Sequence, residues 1–352
     1  MPVTLSSVRD LEGLGVDAII DVRSPAEHAE DHLPGAINLP VLGNEERARV
    51  GTIYKQHSPF LARKIGAALV ARNAAAHLEG PLAAMGGGWR PLVYCWRGGQ
   101  RSGAFSTILS QVGWRSDTIA GGYKSWRRLV VEITHDLPFT VPVVVLDGNT
   151  GSAKTEVLAR ARARGAQVID LEALANHRGS LFGAMPGGQP SQKAFEGRLA
   201  VAMAALDPSR PVLVEAESNR IGRVTVPKAL WLAMVAAPRV TIEAPLPARA
   251  AYLAAAYADL TADRAALGAV LDKLRPFHAR EVIEHWQGLA GAGGFAALAA
   301  ELMAAHYDPR YAKARAQHRS AQERVVMTDA LDAAALDRLA DAVLAAAAAM
   351  PR

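Results

Sequence analysis

Cysteine is almost missing from this chain: Cys95 is the only one in 352 residues. One thiol excludes an internal disulfide and a cysteine-built zinc site, and it suits a reducing compartment. It also leaves no resolving thiol, so any group that Cys95 accepts must depart to a substrate. Long apolar runs are missing as well. No stretch approaches the roughly twenty uninterrupted apolar residues of a membrane span. The start, Met1-Pro2-Val3-Thr4, lacks the basic-then-apolar pattern of a secretory leader. A cytoplasmic protein without a membrane partner is therefore expected. No repeat at a solenoid period occurs, which excludes a stacked-repeat architecture.

What is present is a globular composition, with 50% hydrophobic and 21% charged residues, on a chain long enough for two or three domains. The net charge of +5 suits a polyanion such as RNA, because neutralised phosphates release counterions. Many basic proteins bind no nucleic acid, so charge alone does not decide the matter.

Short apolar runs alternate with helical stretches in the first 135 residues. Ala18–Val22 reads as a buried strand, and His32-Leu33-Pro34-Gly35 reads as a turn before a second strand. Residues 45–78 read as helix, Pro91–Tyr94 as a strand, and Ser102–Val112 as a helix. Such alternation argues for a parallel sheet with its site at the C-terminal ends of the strands. Cys95 stands at such an end and opens the loop Trp96-Arg97-Gly98-Gly99-Gln100-Arg101-Ser102. A free thiol of pKa about 8.5 is only about 3% ionised at pH 7, and guanidinium and amide groups lower that pKa. The glycines allow backbone amides to turn inward as an anion cradle, which Arg97 and Arg101 complete. Cys95 is therefore the candidate nucleophile, although a lone cysteine is also commonly a small core residue.

A second α/β unit is expected from residue 141. The strand Val143–Leu146 runs into Asp147-Gly148-Asn149-Thr150-Gly151-Ser152-Ala153-Lys154-Thr155, which fits the phosphate-binding loop pattern with Ala153 in place of its last glycine. Amides of this loop cradle phosphates, Lys154 reaches a terminal one, and Thr155 is suited to Mg²⁺. An alanine at position 153 implies a right-handed conformation there, because the left-handed one costs about 1–2 kcal/mol. Further strands are expected at Val168–Glu172, Pro211–Val214 and Val240–Ile242. Glu215, at the end of its strand, is the first choice for a Mg²⁺ ligand, with Glu217 second. His177, Arg178, Arg220, Arg249 and Tyr307 are candidate phosphate or RNA contacts. Arg310, Lys313, Arg315, His318 and Arg319 are read either as part of such a surface or as a solvated helix face.

The motifs Asp21-Val22-Arg23, Gly35-Ala36-Ile37-Asn38, the cysteine loop and Gly121-Gly122-Tyr123-Lys124 resemble a rhodanese domain. The spacing from Cys95 to Arg101 is one residue longer than is commonest there. It matches cysteine phosphatases of the same fold, so a phosphatase or sulfurtransferase with a P-loop regulatory domain is the alternative. Over most of its length the chain resembles the tRNA 2-selenouridine synthase family. That resemblance rests on the two loops together with Gly51-Thr52-Ile53-Tyr54-Lys55-Gln56, Asp170-Leu171-Glu172, Ala175-Asn176-His177-Arg178-Gly179-Ser180, Gln189-Pro190-Ser191-Gln192, Glu217-Ser218 and Tyr307-Asp308-Pro309.

The resemblance implies an α/β chain with three parts: a rhodanese-like domain at residues 1–135, a P-loop NTPase-like domain at 141–250, and a helical C-terminal region at 251–352. It implies a transferase that replaces sulfur by selenium in wobble 2-thiouridine of tRNA, with selenophosphate as donor and an S-geranylated intermediate made from geranyl diphosphate. Cys95, Arg97 and Arg101 would be catalytic, and Trp96, Gly98, Gly99, Gln100 and Ser102 would form the selenophosphate loop. Gly148, Asn149, Thr150, Gly151, Ser152, Lys154 and Thr155 would bind the diphosphate, with Mg²⁺ at Thr155 and Glu215. No tightly bound cofactor is expected. The expected partners are tRNA and a selenophosphate-producing enzyme.

Overall fold

The computed structural model describes residues 2–317 and 322–350. They divide into two compact units: the chain up to Pro138 together with Pro190–Ala205, and Phe139–Gln189 together with the chain from Leu206.

In the first unit, β1 (Ala18–Asp21), β2 (Ile37–Asn38), β3 (Pro91–Tyr94) and β4 (Asp117–Thr118) form a parallel sheet in the order β2-β1-β3-β4. Alternate residues of β1 and β3 point to opposite faces, as the two-residue period of a strand requires. Ile20, Val93 and Cys95 join one core with Phe105 and Leu109, while Leu92 and Tyr94 join another with Tyr123, Trp126 and Ala200. Ala200 lies on the helix Gln192–Ala204, which packs against the helix Tyr123–Val131 although its sequence neighbours belong to the second unit. The linear division expected at residues 135–141 does not describe this segment. Helical periodicity reveals an apolar face without saying which sheet will cover it.

In the second unit, β5 (Val143–Gly148), β6 (Gln167–Ile169), β7 (Val212–Glu215), β10 (Arg239–Glu243) and β11 (Glu323–Met327) form a parallel sheet in the order β11-β10-β5-β7-β6. A separate hairpin joins β8 (Arg220–Ile221) to β9 (Val224–Thr225). β5 is buried along its whole length, as a central parallel strand should be. Beyond β6 the expected strand stops at Ile169, because Asp170 caps a short helix, Leu171–Ala175, by accepting from the Ala173 amide at 2.8 Å.

Among the described residues, seven helices begin after residue 251, Ala258–Ala262, Arg264–Asp272, Arg280–Ala292, Phe295–Leu302, the π-helix Met303–Tyr307, Asp308–Gln317 and Ala333–Ala348, but β11 interrupts them. β11 sits at the sheet edge and is mostly exposed, so its sequence shows no buried-strand signature. The helix Ala333–Ala348 returns Leu336, Leu339 and Val343 to the core of Val144, Leu146, Val240 and Ile242, each such side chain contributing roughly 1.5–3 kcal/mol.

Ala153 departs from the sequence expectation. It is left-handed, with φ 59° and ψ 29°, at the residue before the helix Lys154–Ala163. Burial of its methyl group among Val157, Leu158 and Ile242 offsets part of the backbone cost. Ala153→Gly removes the Cβ penalty but adds unfolded-chain entropy and loses the buried methyl. A net change within about 1 kcal/mol is expected, on the stabilising side, and the urea unfolding midpoint reads it directly.

Candidate functional site

Cys95 follows β3 and is buried, with its sulfur facing the start of the helix Gln100–Val112. The Ser102 hydroxyl donates to Sγ at 3.2 Å and the Gly99 amide at 3.3 Å. Burial pushes the thiol up, but these donors and the amides of Ser102 and Arg97 outweigh it, so the thiol lies below its ordinary value. The sequence points to the guanidinium groups as the cause, and the geometry differs. Arg97 is exposed, while Arg101 is held by Glu27, at 2.8 and 3.3 Å. Glu27 lies below the usual carboxylate range because Arg101 and the Ser24 amide overcome its burial.

The loop is pinned from behind. Gly98 and Gly122 both have positive φ, at 63° and 57°. A Cβ on Gly122 would overlap the Cys95 carbonyl oxygen and the Gly98 nitrogen, so only glycine permits this approach. The amides of Tyr123 and Lys124 donate to the carbonyls of Cys95 and Trp96 at 2.8 and 3.1 Å. Trp96 does not enter the loop; its ring packs on Tyr123 at 5.1 Å. Gln100 and Ser102 start the helix, and Gln100 is exposed. Below lies the buried Asp21–Arg23 ion pair, with the Arg23 guanidinium 4.1 Å from the Tyr123 ring centroid.

In the second unit, Gly148, Asn149, Thr150, Gly151, Ser152, Lys154 and Thr155 fall in one turn between β5 and the helix Lys154–Ala163. Lys154 Nζ donates to the Gly148 carbonyl at 2.9 Å and lies 5.6 Å from the Tyr311 ring centroid. Gly151, at φ 80°, packs on the backbone of Arg249. Arg249 is buried: it donates to the Thr150 carbonyl at 3.0 Å and pairs with Asp308 at 2.8 Å. It therefore positions the loop and is not free to face a phosphate, which corrects the expectation from the sequence.

Carboxylates gather beside Lys154. Thr155 donates to Glu172 at 2.9 Å, and Glu215 accepts from the Glu172 amide at 2.7 Å. Burial, with repulsion from Asp170, Glu172 and Glu217, raises Glu215 well above its usual range, and its second oxygen is buried without a partner. Burial and Glu172 push Glu217 up to about 8. Among the described residues no group of three or more His, Cys, Asp or Glu is placed to hold a metal. Glu215 does not meet Thr155; Glu172 does. Local pattern hides this, because Glu172 follows an apolar run and reads as the end of a strand.

The remaining candidates disperse. Arg178 pairs with Asp259 at 2.9 Å and lies over Tyr257. His177 is lowered by burial, and Nδ1 has no partner. Arg220 is exposed on the β8–β9 hairpin. Arg315 pairs with Asp147 at 2.9 Å, and Arg310 lies over Phe277. Lys313 is exposed, and His318 and Arg319 fall outside the described residues. Tyr307 lines a cavity of about 60 Å³ that also touches Thr150. Phe182, Leu253, Leu267 and Leu302 contribute to its apolar wall. Its residues are scattered between positions 150 and 307, so no local pattern announces it.

A rhodanese-like domain model matches residues 5–129, and a tRNA 2-selenouridine synthase AAA domain model matches residues 141–275. The chain joins a rhodanese-like domain to a tRNA 2-selenouridine synthase AAA domain. A tRNA 2-selenouridine synthase of Alcanivorax borkumensis is 39% identical over 237 residues, covering 66% of this chain and 64% of that protein. Those of Hahella chejuensis and Bdellovibrio bacteriovorus are 38% and 36% identical, each over 66% of this chain and over 61% and 62% of their own lengths. The chain thus matches less than two thirds of the length of these relatives. The order of the two domains agrees with the α/β expectation, and no described helix is long and apolar enough to cross a membrane.

Two outcomes test the site. Ser102→Ala in the rhodanese-like domain removes a donor to the thiolate, so the Cys95 pKa rises; iodoacetamide alkylation at pH 7 slows and its pH midpoint moves up. In the AAA domain, a carboxyl raised in the folded state costs stability as pH climbs from its unfolded value through about 8. Glu217→Gln therefore raises the melting temperature at pH 8.5 and changes it little at pH 4.

Proposed function

We propose that this chain replaces the sulfur of wobble 2-thiouridine in tRNA with selenium from selenophosphate, by way of an S-geranylated intermediate made from geranyl diphosphate. The observation that carries this reading is the apolar cavity that meets the phosphate loop at Thr150. Such a pairing suits a ligand with an anionic head and a hydrocarbon tail better than it suits a nucleotide, whose sugar and base call for polar partners. The amides of Gly148–Ser152 and Lys154 would take the diphosphate, and the cavity would take the geranyl chain.

The chemistry follows from leaving groups. The 2-thiouridine sulfur attacks C1 of geranyl diphosphate, and diphosphate departs. Alkylated sulfur then leaves C2 as geranylthiol when selenium enters, a far easier departure than that of unalkylated sulfur. Cys95 is the nucleophile of the selenium half-reaction: its thiolate attacks phosphorus of selenophosphate, the P–Se bond breaks to release the selenide that displaces geranylthiol from C2, and water then cleaves the S–P bond to give phosphate and free Cys95. The loop amides and Arg97 hold the donor, and Arg101 joins them on release from Glu27. Thr155 and Glu172 are the pair that would hold a Mg²⁺ arriving with the diphosphate, which keeps most of its other positions for water and phosphate oxygens. The reaction places the protein in the cytoplasm, supplied by an enzyme that makes selenophosphate.

Mass analysis of tRNA nucleosides after incubation with geranyl diphosphate and selenophosphate, separately and together, tests the proposal. Cys95→Ser should accumulate S-geranyl-2-thiouridine and form no 2-selenouridine. Lys154→Ala should lower geranylation at limiting geranyl diphosphate by roughly tenfold or more, as removal of one charge-assisted hydrogen bond predicts. Selenation that survives Cys95→Ser, or unchanged geranylation in Lys154→Ala, overturns the corresponding assignment.

A further inference from the structure

Beside the cysteine loop, the first unit carries a cleft of about 500 Å³. Trp96 and Tyr123 form its aromatic side, and Lys124, Arg127, Arg128 and Lys193 supply its cations. Glu132 and Asp136 also line it, so positive groups outnumber negative ones four to two. Two of the cations are already committed. Arg127 pairs with the buried Glu196, and Lys193 pairs with Glu30 at 2.6 Å. Lys124 and Arg128 are exposed and form no ion pair among the described residues. They stand four residues apart on the helix Tyr123–Val131, hence on one face.

Trp96 is half-buried and held at 5.1 Å from Tyr123, which is itself anchored to the buried Asp31 at 2.8 Å. Its ring packs at the edge of the core and is thereby held as a rigid platform. It is also the residue that directly follows Cys95. An aromatic face flanked by uncommitted cations is the combination that binds single-stranded nucleic acid, by stacking a base and neutralising its phosphates. An acidic peptide would use the cations but give the indole nothing to stack on.

We infer that this cleft is a binding site for a nucleotide of single-stranded RNA, with its base stacked on Trp96 and its flanking phosphates held by Lys124 and Arg128. This rests on the tRNA substrate proposed above and names the surface that receives it.

The test uses the full chain and a fluorescently labelled tRNA bearing wobble 2-thiouridine, with affinity measured by anisotropy across a salt series. Trp96→Ala should weaken binding by roughly tenfold, and Trp96→Phe should restore most of it. The pair Lys124→Ala and Arg128→Ala should weaken binding and lower the slope of log affinity against log salt by about 0.7 for each phosphate no longer neutralised. The pair Arg63→Ala and Lys64→Ala removes the same charge from a helix on the other face of the sheet and should leave affinity within about twofold. Wild-type binding that none of the cleft variants changes overturns the cleft and leaves the proposed function standing. Weakening by the cationic pair alone, with Trp96→Ala at wild-type affinity, overturns the stacked base. No binding of the tRNA by the wild type overturns both readings.

Discussion

Backbone meets backbone at Gly98 and Gly122, and much of the rhodanese-like domain depends on that approach. Because neither residue carries a Cβ, the cysteine loop lies directly on the turn that starts the helix Tyr123–Val131. The amides of that turn take the carbonyls of Cys95 and Trp96, so the loop's own amides remain turned toward the sulfur. One steric constraint thereby sets the thiol's environment, the attitude of Trp96 and the face on which Lys124 and Arg128 stand. The Arg23 guanidinium under Tyr123, neutralised by Asp21, supports this arrangement from inside the fold.

The AAA domain solves a different electrostatic problem. Glu172, Glu215 and Glu217 crowd one side of the phosphate loop, and burial raises all three. Positive charge added beside these carboxylates would relieve their mutual repulsion. Arg249, paired with Asp308, braces the opposite side by donating to the Thr150 carbonyl. Left-handed Ala153 belongs to the same bracing: the helix Lys154–Ala163 starts where it does because that residue tolerates its strain inside a packed core.

Much of this is legible along the chain. The strands at Pro91–Tyr94, Val143–Gly148 and Arg239–Glu243 are short apolar runs ending in turn residues, and each lies within a residue or two of its expected place. Both loops follow from local spacing. β11 is not legible, since an exposed edge strand carries no period-two burial. The helix Gln192–Ala204 is legible as a helix but not in its neighbours, because its apolar face is complementary to a core built from residues far earlier in the chain.

The sequence by itself determined the fold class, the candidate nucleophile and the phosphate loop, because those depend on hydrophobic period, glycine position and residue chemistry within a few positions of one another. Only the tertiary structure decided which charges are free to act. Arg101 meets Glu27, Arg249 meets Asp308 and Glu172 displaces Glu215 beside Thr155, all between residues distant in the chain. A charge in a sequence is a capacity; its partner, and so its field, is set by which surfaces folding brings within a few ångströms.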